Sequence, residues 1–266
     1  MFKNLITKTL YDKRGFMFGW SLGLIVMAGI TIAFFPTIKD QIGTLFANMP
    51  KALESITGTT EDYKTITGYI GTGVFDLRIP MLTITMAIII GLGLGVGEEY
   101  SKKLYLLLAQ PVSRTKIALE KWIAMIVTFA VVHVALFAGI LAVVGLIHES
   151  VPVGKVFAAT FMCFLLTVAA GSLTLATGLA LGRKGLTTMI VAVYVFGSYL
   201  LTSFAAQIDS LKNIEPVSLF HYYKASEALK VGYNFGHIAT LVFIAVAAIL
   251  FGAWVFNKRD VGTHSA

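Results

Sequence analysis

Six stretches of this chain contain no Asp, Glu, Lys or Arg: residues 16–35, 79–97, 123–147, 156–182, 187–206 and 237–256. Their lengths are 20, 19, 25, 27, 20 and 20 residues. A helix crosses the hydrocarbon core with about 20 apolar residues. No water is present there to take backbone N–H and C=O groups, and a helix pairs them internally. Each stretch is long enough to span once, and the two longer ones have length to tilt or to enter the interface. All 35 charged residues of the 266 lie between the stretches. Charged residues make up 13% of the chain, against about 25% in soluble domains, and the mean hydropathy is +0.81. The expected fold is an all-α membrane protein with six transmembrane helices.

Basic residues orient the spans. With a cytoplasmic N-terminus, the inner segments 1–15, 98–122, 183–186 and 257–266 hold 13 Lys and Arg in 54 residues. The outer segments 36–78, 148–155 and 207–236 hold 8 in 81. The positive-inside rule favours this choice, with both termini cytoplasmic. Against the acids, 13 basic to 5 acidic residues give +8 inside, and 8 to 9 give −1 outside. The formal charge of +7 is thus accounted for by topology and gives no reason to expect nucleic-acid binding.

Residues 1–15 place Phe2, Leu5, Ile6 and Leu10 near one helical face, opposite Lys3, Asn4 and Lys8. The pattern suits an amphipathic helix lying in the interface, with a frayed tail as the alternative. The apolar run after Lys13 and Arg14 lacks a small-residue cleavage site, so it is expected to stay as span 1. The domain plan is an interfacial helix over 1–15, a six-helix membrane domain over 16–256 and a cytoplasmic tail over 257–266. Outer loops over 36–78 and 207–236 belong to the membrane domain. The first loop is expected to form short surface helices. Phe220, Tyr222, Tyr223 and Tyr233 in the second suit the headgroup region. Gly91, Gly93, Gly95 and Gly97 end the second stretch as two small-xxx-small pairs. They permit close helix approach, within one subunit or at a seam between two.

Much chemistry is missing. There is no G-x-x-x-x-G-K-[ST] loop to hold ATP and no H-E-x-x-H zinc site. The single Cys163 excludes an intrachain disulfide and any multi-cysteine metal site. No Asp, Glu, Lys or Arg lies inside a stretch, where ion-coupled carriers and proton relays usually need one. His133 is the exception among titratable groups, as a hydrogen-bonded packing residue or a functional one. The expectation is no catalytic residue, no metal and no cofactor bound by this chain. Energy for any movement of cargo must come from elsewhere.

The segment between the second and third stretches, "GVGEEYSKKLYLLLAQPVSRTKIALEKW" over residues 95–122, is built differently. Glu98 with Lys102 and Glu99 with Lys103 are i,i+4 pairs in the favourable order. Tyr100, Leu104, Leu107 and Leu108 share a face, and Pro111 disfavours helix at Gln110. A short amphipathic cytoplasmic helix over 98–110 follows, tethered at both ends to membrane spans. Its leucine face suits lipid headgroups or a groove on a protein.

The stretch "GEEYSKKLYLLLAQPVSR" resembles the corresponding loop of ABC-2 type transporter permeases: an acidic start, a leucine block and a Pro-[aliphatic]-Ser-Arg ending. Relatives often carry Gly-Thr where this chain has Lys102 and Lys103. The likeness extends to the amphipathic N-terminus, the long first outer loop, the six spans and the terminal "FNKRD". It implies the permease subunit of an exporter in the plasma (inner) membrane, with two permeases, identical or not, pairing with two ATPase subunits. ATP and Mg would sit on the ATPase. Glu98, Glu99, Leu104, Leu107, Leu108, Pro111 and Arg114 would form the coupling helix that enters a cleft on that subunit. The N-terminal helix would add a second contact. Cargo would be hydrophobic or amphiphilic, moving along the seam between permeases past spans 2 and 5. Two other readings are an anchoring subunit that moves nothing, and a membrane-embedded enzyme using His133, His221 and tyrosines.

Overall fold

The computed structural model describes residues 4–46, 63–97, 112–205, 207–230 and 232–259. Among them, six helices are long and apolar enough to cross a membrane: Arg14–Lys39, Ile66–Gly97, Arg114–Leu146, Val153–Leu181, Lys184–Ala205 and Phe235–Lys258, here spans 1 to 6. No strand occurs among the described residues. The fold is that of an all-helical, multi-pass membrane protein. Six crossings return the chain to the face it started from. That face, which carries the N-terminal helix and the end of span 6, is called the termini face.

Polar side chains set the helix ends. Asn4 opens the N-terminal helix Leu5–Asp12 by accepting from the Thr7 amide. Thr65 caps span 2 at the Gly68 amide, Ser113 caps span 3 at the Lys116 amide, and Asn234 caps span 6 at the Gly236 and His237 amides. Each supplies an acceptor to a first-turn N–H that has no carbonyl partner. Span 1 is jointed at Phe34, between helices Arg14–Ala33 and Phe35–Phe46. Pro36 explains the joint, since it lacks an N–H and its ring crowds the carbonyl four residues back. Span 4 ends at Gly182, whose φ of +64° is left-handed backbone that favours glycine. Only Gly182 and Arg183 separate spans 4 and 5.

Spans 4 and 2 form the centre. About 78% of the most apolar window of span 4 and 67% of that of span 2 are buried, against 22–33% for the other four. Span 4 packs on spans 2, 3, 5 and 6 and on the short helix Ala225–Lys230. Its buried hydroxyls donate back to carbonyls one turn earlier: Thr160 to Val156, Thr167 to Cys163, Ser172 to Val168 and Thr174 to Ala170. A polar side chain in an apolar interior is thereby satisfied. Cys163 is buried there, with its sulfur 3.6 Å from the Thr83 hydroxyl.

The N-terminal helix packs on span 3, with Leu5, Ile6 and Leu10 half-buried and Thr9 buried. Two features differ from the sequence expectation. The described end of the first outer segment is not surface. Ile66, Tyr69, Ile70, Val74 and Phe75 are buried, and a π-helical turn over Gly71–Phe75 carries them into span 2. Phe220 and Tyr223 do not face headgroups either. They are 4% and 7% exposed, because the segment holding them folds into the bundle against spans 4 and 5. Each charged residue in these stretches interrupts the apolar run, so a reading by charge-free windows stops short of the buried residues beyond it.

Close approach in the centre depends on small residues. A Cβ on Gly252 of span 6 would stand 2.5 Å from the Ala176 Cα of span 4. Gly145, in span 3, has open space where a Cβ would point. Gly252→Ala is therefore expected to destabilise the detergent-purified protein by about 1–3 kcal/mol, read as a lower Tm. Gly145→Ala should leave Tm unchanged or slightly raised.

Candidate functional site

The segment expected to couple this chain to a partner lies outside the described residues, and with it Glu98, Glu99, Leu104, Leu107, Leu108 and Pro111. Its two attachment points are described, and both are clamped by cations. On the span 2 side, the chain leaves through a π-helical turn over Gly93–Gly97. Lys121 of span 3 reaches this turn and donates from Nζ to the Leu94 carbonyl at 2.8 Å. Lys121 is only 1% exposed. On the span 3 side stands Arg114. Its Nη1 donates to the carbonyls of Phe256 at 3.0 Å and Arg259 at 2.6 Å, and its guanidinium lies 5.6 Å from the Phe256 ring centroid.

Arg259 continues the chain of contacts. It donates from Nη1 to the Leu179 carbonyl at 2.8 Å, and its guanidinium lies against Gly182, where no side chain intervenes. Asn257 donates to the Thr115 hydroxyl at 2.6 Å. The physical reason is common to all three cations. The last four carbonyls of a helix have no intrahelical partner, and the negative end of the helix dipole favours positive charge. Spans 2, 4 and 6 all end on this face, and Lys121, Arg259 and Arg114 donate to their terminal carbonyls.

The N-terminal helix joins the same framework. The Leu5 amide donates to Glu120 Oε2 at 3.1 Å, so Glu120, one residue before Lys121, ties this helix to span 3. Lys116 lies 4.0 Å from Glu120, and with the lysine exposed the pair adds little by itself. Phe2 falls outside the described residues. Of the four expected packing glycines, Gly91 and Gly95 face span 4. A Cβ on Gly91 would stand 2.7 Å from Thr174 Cβ, and one on Gly95 would stand 3.2 Å from the Leu175 carbonyl oxygen. Gly93 points toward the Lys13 ammonium, 3.7 Å away, and Gly97 toward its own helix.

Lys121 falls just outside the charge-free stretch 123–147 that marks span 3 in the sequence. Its burial was signalled by register. Ile117, Ala118, Lys121, Ala124, Met125, Thr128 and Phe129 form one buried stripe with helical spacing, and Lys121 falls within it.

His133 and His221 are not brought together. His133 Nδ1 lies 2.8 Å from the Phe129 carbonyl and must donate to it, while Nε2 is 3.4 Å from Thr167 Oγ1. Its ring meets Phe164 edge-on. It borders an apolar slot of about 170 Å³ between spans 3 and 4, walled by Phe137, Phe157, Phe161 and Phe164. His221 instead faces Glu215 at 3.0 Å and the rings of Tyr222 and His237. No group of side chains among the described residues is arranged to hold a metal ion.

At the far face, the segment 207–230 bridges spans 5 and 2. Ser218 donates to the Ser198 carbonyl of span 5 at 2.8 Å and shares a hydrogen bond with Thr202. Tyr223 donates to the Phe75 carbonyl at 2.7 Å, and Ser226 donates to Asp76. Burial holds the Tyr223 phenol well above its ordinary pKa, so it remains a donor there. Phe75 closes the π-helical turn Gly71–Phe75, where the backbone departs from the regular α ladder.

Residues 9–257 match the family described as "Multidrug efflux system permease Rv1217c, C-terminal domain". The chain belongs to that family. A comparison with curated proteins finds no match. As an efflux-family permease, the protein is a membrane transport component rather than an enzyme by family. Its termini face has three helix ends stitched by cations, and its far face has a segment folded between spans 5 and 2.

The termini-face clamps are expected to act separately. Lys121→Met deprives the buried Leu94 carbonyl of this donor and should destabilise the permease by about 1–3 kcal/mol. Hydrogen exchange should then rise over residues 91–97. Arg114→Ala should raise exchange over residues 253–259 and leave residues 66–75 at the far face unchanged.

Proposed function

We propose that this permease is the membrane-spanning subunit of an ATP-binding cassette exporter of the ABC-2 type, moving hydrophobic or amphiphilic cargo outward across the plasma membrane. The observation that carries this reading is membership of the multidrug efflux permease family over nearly the whole chain. The likeness of residues 97–114 to the coupling loop of ABC-2 permeases supplies the energy source. The chain has no P-loop of its own, so ATP and Mg belong to a separate ATPase subunit.

In this reading the termini face is cytoplasmic, and the segment around Leu104, Leu107 and Leu108 enters a cleft on the ATPase. Glu98, Glu99, Pro111 and Arg114 frame it. Closure of the ATPase pair pushes the segment, and the push enters the bundle at its two clamped ends. One end is Leu94, tied to span 3 through Lys121; the other is Arg114, tied to the end of span 6. Because Arg259 also holds the end of span 4, the four helices receive the displacement as a unit. Two such permeases, identical or not, rock against each other and open a route past spans 2 and 5. The N-terminal helix adds a second contact for the ATPase through its exposed face.

Co-purification with an ATPase encoded beside this chain tests the proposal. Leu107→Asp and Leu108→Asp are each expected to weaken that association by about 2 kcal/mol, or roughly thirtyfold in Kd, with membrane insertion intact. Unchanged association would overturn the coupling role. Cargo movement in vesicles that persists without ATP hydrolysis would overturn the exporter reading.

A further inference from the structure

Three cations at the termini face are left over from the clamps. Arg183 stands in the turn between spans 4 and 5, Lys184 opens span 5, and Lys258 closes span 6. One contact gathers them. Arg259, the neighbour of Lys258, donates to the Leu179 carbonyl at 2.8 Å and lies against Gly182, the neighbour of Arg183. Arg259 is thus engaged with backbone, but the cations beside it are not. Arg183, Lys184 and Lys258 are exposed, and none of the three is paired with a carboxylate among the described residues.

Their neighbours set the level of this cluster in the bilayer. The Lys258 ammonium lies 4.0 Å from the ring centroid of Trp254, which is 54% exposed. Indole rings collect at headgroup level, and a lysine stem carries its ammonium outward from such a position. A ring face occupies one side of an ammonium that has three donors, so the remaining sides are available to an anion. Toward the bilayer centre the surface turns apolar. Phe251 and Leu250 on span 6 are exposed, as are Met189 and Ile190 on span 5, and both helices pack on span 4. Positive charge at headgroup level beside apolar helix surface suits a phospholipid whose headgroup is net negative. A zwitterionic headgroup brings a cation of its own, and a soluble anion has no chains to lay on the helices.

We propose that the ends of spans 4, 5 and 6 at the termini face form a binding site for an anionic phospholipid. Its phosphate lies among Arg183, Lys184 and Lys258, its glycerol beside Trp254, and its chains on the exposed faces of spans 5 and 6. Basic residues at span ends are attracted to acidic lipid in general. Here the contact between Arg259 and Gly182 joins cations of two separate helix ends into one cluster. A headgroup held by both ties the start of span 5 to the end of span 6. The site requires neither an ATPase nor a cargo.

The test is tryptophan fluorescence of the full chain in phosphatidylcholine vesicles. The probe is phosphatidylglycerol brominated in its chains near the glycerol, and phosphatidylcholine brominated in the same way is the comparison. Bromine quenches an indole only at contact range. At equal mole fraction the phosphatidylglycerol should quench more, and the excess should vanish in Trp254→Phe, which assigns it to this place. Arg183→Gln, Lys184→Gln and Lys258→Gln should each lower the preference for phosphatidylglycerol about fivefold. Lys8→Gln makes the same charge change at an exposed position of the N-terminal helix and should leave the preference unchanged. Equal quenching by the two lipids, which needs no variant, overturns the site. An excess that survives the three substitutions combined, or that Lys8→Gln lowers as much as they do, overturns it too. The measurement needs no nucleotide, so its failure is separate from failure of the ATPase association.

Discussion

Helices that end inside or beside a membrane leave carbonyls that water cannot easily reach, and this permease meets that constraint with cations from neighbouring spans. Lys121 donates to Leu94, Arg259 to Leu179, and Arg114 to Phe256 and Arg259. The arrangement satisfies groups that would be expensive to bury unpaired. It also determines which helices move together. Two donors on span 3, Lys121 to the end of span 2 and Arg114 to the end of span 6, make those ends parts of one body. The basic residues on which the expected orientation rests are, in part, the residues that join its helices.

The two faces are built on different principles. The termini face is held by charge on helix ends. The far face is held by hydroxyl donors: Ser218 to the Ser198 carbonyl, Tyr223 to the Phe75 carbonyl, Ser226 to Asp76, and a bond shared by Ser218 and Thr202, around an aromatic and carboxylate-lined cavity. Between them run spans 2 and 4, packed through Gly91 and Gly95 against Gly171, Thr174 and Leu175. Span 5 is the least buried of the six. It packs on spans 4 and 2 through one narrow stripe, Thr187, Val191, Val195 and Ser198, and joins the segment 207–230 near its far end. A helix with so little buried surface is suited to shift against a more buried centre. This is the mechanical property the proposed transport cycle needs.

The number and order of the spans were legible because hydrocarbon imposes a length and excludes charge, and both are visible in a list of residues. Helix ends were partly legible. Ser113 and Asn234 are ordinary caps, yet the start of span 2 was concealed because Asp76 and Arg78 interrupt its apolar run. The small-residue pairs announced close packing but not its partner. Gly91 and Gly95 proved to face span 4 of the same chain, while a Cβ on Gly93 or Gly97, on the same helix, would meet no other span among the described residues. The buried register of Lys121 was present in the helical spacing around it, but a window defined by absence of charge discards such a residue by construction.

Sequence alone determined that this chain lies in a membrane, crosses it six times, and carries a charged, leucine-rich segment between spans 2 and 3. Those properties depend on composition and spacing along one dimension. Only the tertiary structure decided that Lys121 caps span 2, that Arg114 and Arg259 link spans 3, 4 and 6, and that Asp76 and Glu227 share a cavity with Tyr199 and Phe220. The partners in those contacts are separated by 27 to 145 positions in the two termini-face bonds at the extremes. Hydrogen bonds and charge act over a few ångströms of space, and which residues come that close is decided by how the helices pack.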